Sequence, residues 1–102
     1  MTKYSNGANY ERMFKNKLLK DGAEVVIRSA GSKTKIDLTA FYLDKVEVYQ
    51  IKSTSQIEAY YGQDMYLLKN LYLPRNTKKF IAVYYKRNKK RGYNGWVIIE
   101  VK

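Results

Sequence analysis

Hydrophobic and polar positions along this chain divide it into two helical and five strand-like stretches. Asn6–Lys20 carries Tyr10, Phe14 and Leu18 at four-residue steps, the spacing of one helix face, and Gly22 after Asp21 supplies a stop. Glu24–Ser29 (EVVIRS) has the β-branched character of a strand, and Ala30–Lys33 follows as a Gly/Ser loop. Two further runs, Thr34–Tyr42 (TKIDLTAFY) and Lys45–Thr54 (KVEVYQIKST), read as strands joined near Leu43–Asp44. Ser55 is placed to cap a second helix over Gln56–Tyr72, where Ile57, Tyr61, Met65, Leu68 and Tyr72 recur at three- or four-residue steps. Pro74 ends that pattern. Lys79–Tyr85 (KFIAVYY) and Gly95–Val101 (GWVIIEV) complete the strands, separated by the basic run Lys86–Arg91 (KRNKKR). The order α-β-β-β-α-β-β predicts an α/β protein, a sheet with helical cover. The 102 residues suffice for one domain, 1–102, with a modest core.

Several polar residues interrupt these apolar patterns. Side chains two apart on a strand share a face, so Gln50 and Lys52 point the same way. A hairpin across Leu43–Asp44 brings Asp37, set between Ile36 and Leu38, alongside them. An Asp facing an oxygen donor and a Lys at the end of a sheet is a layout suited to a nuclease metal site. Lys52 can position a water or stabilise charge developing on phosphorus. Glu47 lies an odd number of residues from Gln50 and is expected on the other face, unless a bulge reverses it. Glu11 falls inside the apolar arc of the first helix. It must either reach solvent at the rim, beside Arg12 or Lys15, or meet a cation.

Composition narrows the chemistry. The chain has no His and no Cys. Imidazole bases, thiol nucleophiles, disulfides and nitrogen- or sulfur-ligated metals are therefore excluded. Any bound metal must be held by oxygen, which favours Mg²⁺ or Mn²⁺. The net charge is +11, from 20 Lys+Arg against 9 Asp+Glu, as expected for a polyanionic partner such as nucleic acid. No stretch approaches the length of a membrane span, and the opening MTKYSNGANYER has no apolar signal core. An intracellular, cytoplasmic protein with no membrane partner is the expectation. Lys86, Arg87, Lys89, Lys90 and Arg91 form either a solvated charge run or a phosphate-contacting arm. Tyr60, Tyr61 and Tyr66 belong either to a core or interface or to a DNA contact.

Four segments together resemble a known family. These are Gly7–Ala8 with Glu11–Arg12, Val26–Ser32 (VIRSAGS), Ile36–Ala40 (IDLTA) and Gln50–Thr54 (QIKST). They look like the archaeal-type Holliday junction resolvases of the PD-(D/E)XK nuclease superfamily. The resemblance covers residues 6–54 closely and the remainder by element order. It implies a restriction-endonuclease-like mixed sheet. It further implies a Mg²⁺-dependent (or Mn²⁺-dependent), homodimeric, structure-selective endonuclease that cuts four-way DNA junctions in recombination and repair. By the same resemblance Glu11, Asp37 and Gln50 hold the metal, Lys52 is the catalytic lysine, and Ser32 belongs to the active site. Arg12, Arg28 and Ser32 match positions that contact the DNA strand.

The chain departs from that family at Gln50, where a Glu is usual. Gln keeps an oxygen donor but removes one negative charge, so weaker metal binding is expected. It is also short, with little beyond the last strand to build a dimer surface. Two alternatives follow: another DNA nuclease of the same fold, of Mrr or general viral type, and a protein that binds DNA junctions without cutting them.

Overall fold

The structure is a computed structural model that describes residues 3–29, 36–87 and 94–102. Its elements run α1 (Lys3–Lys20), β1 (Val25–Arg28), β2 (Leu38–Phe41), β3 (Val46–Thr54), α2 (Gly62–Lys69), β4 (Thr77–Tyr85) and β5 (Gly95–Val101). The five strands form one sheet in the order β1-β2-β3-β4-β5. Neighbours are antiparallel except β3 and β4, which run parallel, so the segment between them must cross over the sheet and carries α2. This is the α-β-β-β-α-β-β order of the restriction-endonuclease-like fold.

Helices cover both faces. On one side Phe14 and Leu18 of α1 pack with Val26, Leu38, Ala40, Tyr49 and Ala82. On the other, Leu68 of α2 packs with Ile81, Val83, Tyr85 and Val101. The alternation of β4 explains the split: Ala82 faces α1, whereas Ile81 and Val83 face α2. Phe14 has no solvent exposure and lies between the rings of Tyr49 and Trp96, at centroid separations of 5.0 and 4.7 Å. The positive φ of Gly22 (115°) ends α1 as its sequence position predicts, with Ala23 donating to the Leu18 carbonyl at 3.0 Å.

The second helix is shorter than its periodicity predicts. The expected span was Gln56–Tyr72, and the observed one is Gly62–Lys69. Side-chain oxygens take two amide donors in the segment before it, and the Ala59 donor is the one a helix opening at Gln56 would have given to the Ser55 carbonyl. Gln56 N–H donates to Thr54 Oγ1 at 3.0 Å, and Ala59 N–H to the Tyr85 hydroxyl at 3.4 Å. The helix begins at Gly62 rather than directly after Ser55, and Ile57 is 52% exposed rather than core. Beyond Lys69, the Lys79 ammonium takes the Lys69 and Leu71 carbonyls, which holds the chain as it leaves the helix. Tyr72 is fully exposed. Of the run Thr34–Tyr42, residues 34 and 35 lie outside the described residues; the rest forms a strand over Leu38–Phe41, and Asp37 stands just outside β2.

Candidate active site

The β2–β3 hairpin closes with Tyr42 N–H donating to the Lys45 carbonyl at 2.9 Å, and this turn sets Leu38 opposite Tyr49. That register delivers Asp37 to the middle of β3. Its backbone bridges two strands: the N–H donates to the Tyr49 carbonyl at 2.8 Å, and the carbonyl accepts from Ser29 at 2.9 Å. With both backbone groups used, the Ile51 N–H has no partner from Asp37's main chain. The side chain serves instead, Asp37 Oδ2 accepting from Ile51 at 2.8 Å. Asp37 is thus aimed along the edge of β3 between Gln50 and Lys52.

Gln50 and Lys52 lie on the α2 side of the sheet. Their β3 neighbours Tyr49 and Ile51 pack toward α1, and their β4 partners Ile81 and Val83 pack toward α2. Gln50 Oε1 is buried and accepts no hydrogen bond from the described residues. Lys52 Nζ donates to Asp64 Oδ2 at 2.6 Å. Asp64 sits in the first turn of α2 and is only 8% exposed. Sequence reasoning passed over it, although a signal was there. Asp64 stands three residues after Tyr61 and four before Leu68, inside the apolar stripe of its helix, where a carboxylate needs a partner.

Glu11 meets a cation while remaining partly exposed. Its Oε1 accepts from Arg28 Nε at 2.5 Å, which ties α1 to β1 on the α1 side of the sheet. The structure ties Asp37 to Ile51, between Gln50 and Lys52 on β3, pairs Lys52 with Asp64, and engages Glu11 with Arg28. Among the described residues no three His, Cys, Asp or Glu side chains stand together as a metal cage.

Glu47 belongs to the scaffold. It is buried on the face opposite Gln50, accepts from the Tyr49 hydroxyl at 2.6 Å and pairs with Lys45 at 3.3 Å. Burial first, and then this carboxylate, push the Tyr49 hydroxyl far above its ordinary pKa, so it stays protonated as a donor. Tyr42 is raised by the same causes. Arg12 and Arg87 are exposed. Lys86 N–H donates to the Thr54 carbonyl at the end of β3, and its ammonium lies 5.6 Å from the Tyr10 ring centre. Tyr60 and Tyr66 are exposed, whereas Tyr61 packs against the α2-side core. Ser32, Lys89, Lys90 and Arg91 lie outside the described residues.

The donors gathered here suit a hard divalent cation. Asp37 offers a carboxylate, and Gln50 a buried amide oxygen lacking a protein donor among the described residues. A buried acceptor left unpaired costs about 1–3 kcal/mol, which a cation or water at that oxygen would offset. Mg²⁺ commonly uses one or two protein oxygens and completes its octahedron with waters and substrate phosphate, so a full protein cage is unnecessary. No helix among the described residues is long and apolar enough to cross a membrane.

A protein-family model described as archaeal Holliday junction resolvase (hjc) matches residues 2–102. No curated protein matches the chain significantly.

Proposed function

Because the chain belongs to the archaeal Holliday junction resolvase family, we propose that it cuts four-way DNA junctions by divalent-metal-dependent hydrolysis, with Asp37 and Gln50 as metal ligands and Lys52 as the catalytic cation. The observation that supports this reading is that Asp37 accepts from Ile51, the residue between Gln50 and Lys52 on β3, while the Gln50 oxygen is buried with no donor among the described residues. A bound Mg²⁺ or Mn²⁺ would supply an activated water and neutralise charge on the phosphate oxygens. Lys52 would orient the attacking water and stabilise the extra negative charge as the water oxygen bonds to phosphorus. The opposite ester P–O bond breaks, and a proton passes to the leaving oxygen. Glu11 would complete the metal ligands once Arg28, which holds it in this structure, turns with Arg12 and Ser32 to contact the strand that is cut. Symmetric resolution of a four-armed substrate requires two sites, so a homodimer is part of the proposal.

The decisive experiment compares cleavage of four-way junction, flap, single-stranded and linear duplex DNA with Mg²⁺, with Mn²⁺ and with chelator. Metal-dependent cutting confined to the junction is the expected result. Equal cutting of linear duplex would point to a general nuclease of the same fold. The neutral Gln50 favours one other reading, a junction binder that does not cut. Tight junction binding without cleavage under either metal would establish that reading.

A further inference from the structure

Lys52 has a partner that this reaction scheme does not use. A lysine carries a long, flexible stem and can place its ammonium in many positions. On β3 it has no carboxylate beside it on its own face, because position 50 is a neutral Gln and Glu47 faces α1. The restraint comes from another element: Asp64, on α2, holds Nζ at 2.6 Å. Asp64 is itself anchored, since Leu68 one turn later is fully buried against the sheet, and Met65 and Tyr61 pack into the same cluster. The helix thus has ample apolar anchorage without an ion pair, and a buried ion pair seldom adds net stability over an apolar contact.

We infer that Asp64 is a positioning residue that fixes the Lys52 ammonium at the edge of β3, supplying from α2 the negative charge that β3 lacks at position 50. The inference deepens the proposed function and rests on Lys52 acting in cleavage. It gives α2 a chemical duty beyond covering the sheet.

Single-turnover cleavage of a four-way junction at saturating enzyme tests it, with parent, Asp64→Asn, Lys52→Ala and the double variant. Asp64→Asn is nearly isosteric. It should lower the cleavage rate roughly 10- to 100-fold, the scale of a misplaced catalytic group, with junction affinity unchanged. The double variant should cleave no more slowly than Lys52→Ala, because the second change acts only through the first. Parent-like cleavage by Asp64→Asn alongside an inactive Lys52→Ala overturns the positioning role and leaves the proposed function intact. Parent-like cleavage by Lys52→Ala overturns the reading of Lys52 and this inference with it. A measurement on the parent protein covers the case in which Asp64→Asn does not fold. The Lys52 side-chain ammonium, assigned by its loss in Lys52→Ala, should give a resolved ¹H–¹⁵N signal protected from solvent exchange. A Lys52 ammonium that exchanges as fast as the surface lysines overturns the inference.

Discussion

Asp37 performs two duties that separate variants can pull apart. Its carboxylate accepts the Ile51 N–H at 2.8 Å and so completes the β2–β3 pairing where β2 has already ended. The same carboxylate is the proposed metal ligand. Asp37→Ala removes both. A hydrogen bond to a charged acceptor is worth about 1.5–3 kcal/mol, and at this partly buried edge the lower half of that range is appropriate. A loss of about 1.5–2 kcal/mol lowers the melting temperature of a domain this size by roughly 6–16 °C. Asp37→Asn keeps an amide oxygen at nearly the same place, so most of the Ile51 hydrogen bond survives. Its melting temperature should fall much less than that of Asp37→Ala. Both variants should lose cleavage, because a neutral side chain no longer offsets the cation's charge. Junction binding by Asp37→Asn should be unchanged or slightly tighter, since repulsion toward phosphate is removed. The assays are thermal unfolding followed by circular dichroism, and gel-based binding and cleavage on one junction. Equal melting temperatures for Asp37→Ala and parent would refute the structural duty. Undiminished cleavage by Asp37→Asn would refute the chemical one.

Three further outcomes are expected. Gln50→Glu adds a carboxylate beside Asp37 and should lower the Mg²⁺ concentration for half-maximal cleavage, whereas Gln50→Ala should raise it; a metal titration of the cleavage rate checks both. Junction affinity should fall steeply with salt, by roughly 0.9 log unit per phosphate contact for each tenfold rise. Neutralising Lys86, Arg87, Lys89, Lys90 and Arg91 together should flatten that slope, and an unchanged slope assigns the run to solvent. Tyr49 is held protonated when folded but ionises near pH 10 when unfolded, so its contribution to stability is complete below pH 10 and lost as the pH rises beyond it. Denaturant midpoints measured across that range should drop less in Tyr49→Phe than in the parent.

Much of this architecture is legible in local pattern. Strand side chains alternate whatever surrounds them, so placing Gln50 and Lys52 on one face and Glu47 on the other needs only a period of two. The α1 stripe of Tyr10, Phe14 and Leu18 and the stop at Gly22 are equally local, because helix periodicity and a left-handed glycine arise within a few residues. Charge and the absence of His and Cys confine the chemistry before any fold is considered. Contacts between distant segments were not legible. The start of α2 depended on Tyr85, whose hydroxyl takes the Ala59 amide proton that a helix opening after Ser55 would have given to the Ser55 carbonyl. The pairing of Glu11 with Arg28 and of Lys52 with Asp64 joins residues 17 and 12 positions apart. Such pairs form only because α1 and α2 pack on opposite faces of a completed sheet. Asp37 shows the division within one residue. Its interruption of an apolar run marks it in the sequence, but its aim at Ile51 comes from the three-strand arrangement that uses up its own backbone. Local periodicity chooses which face a side chain occupies; packing across the sheet chooses what it meets there.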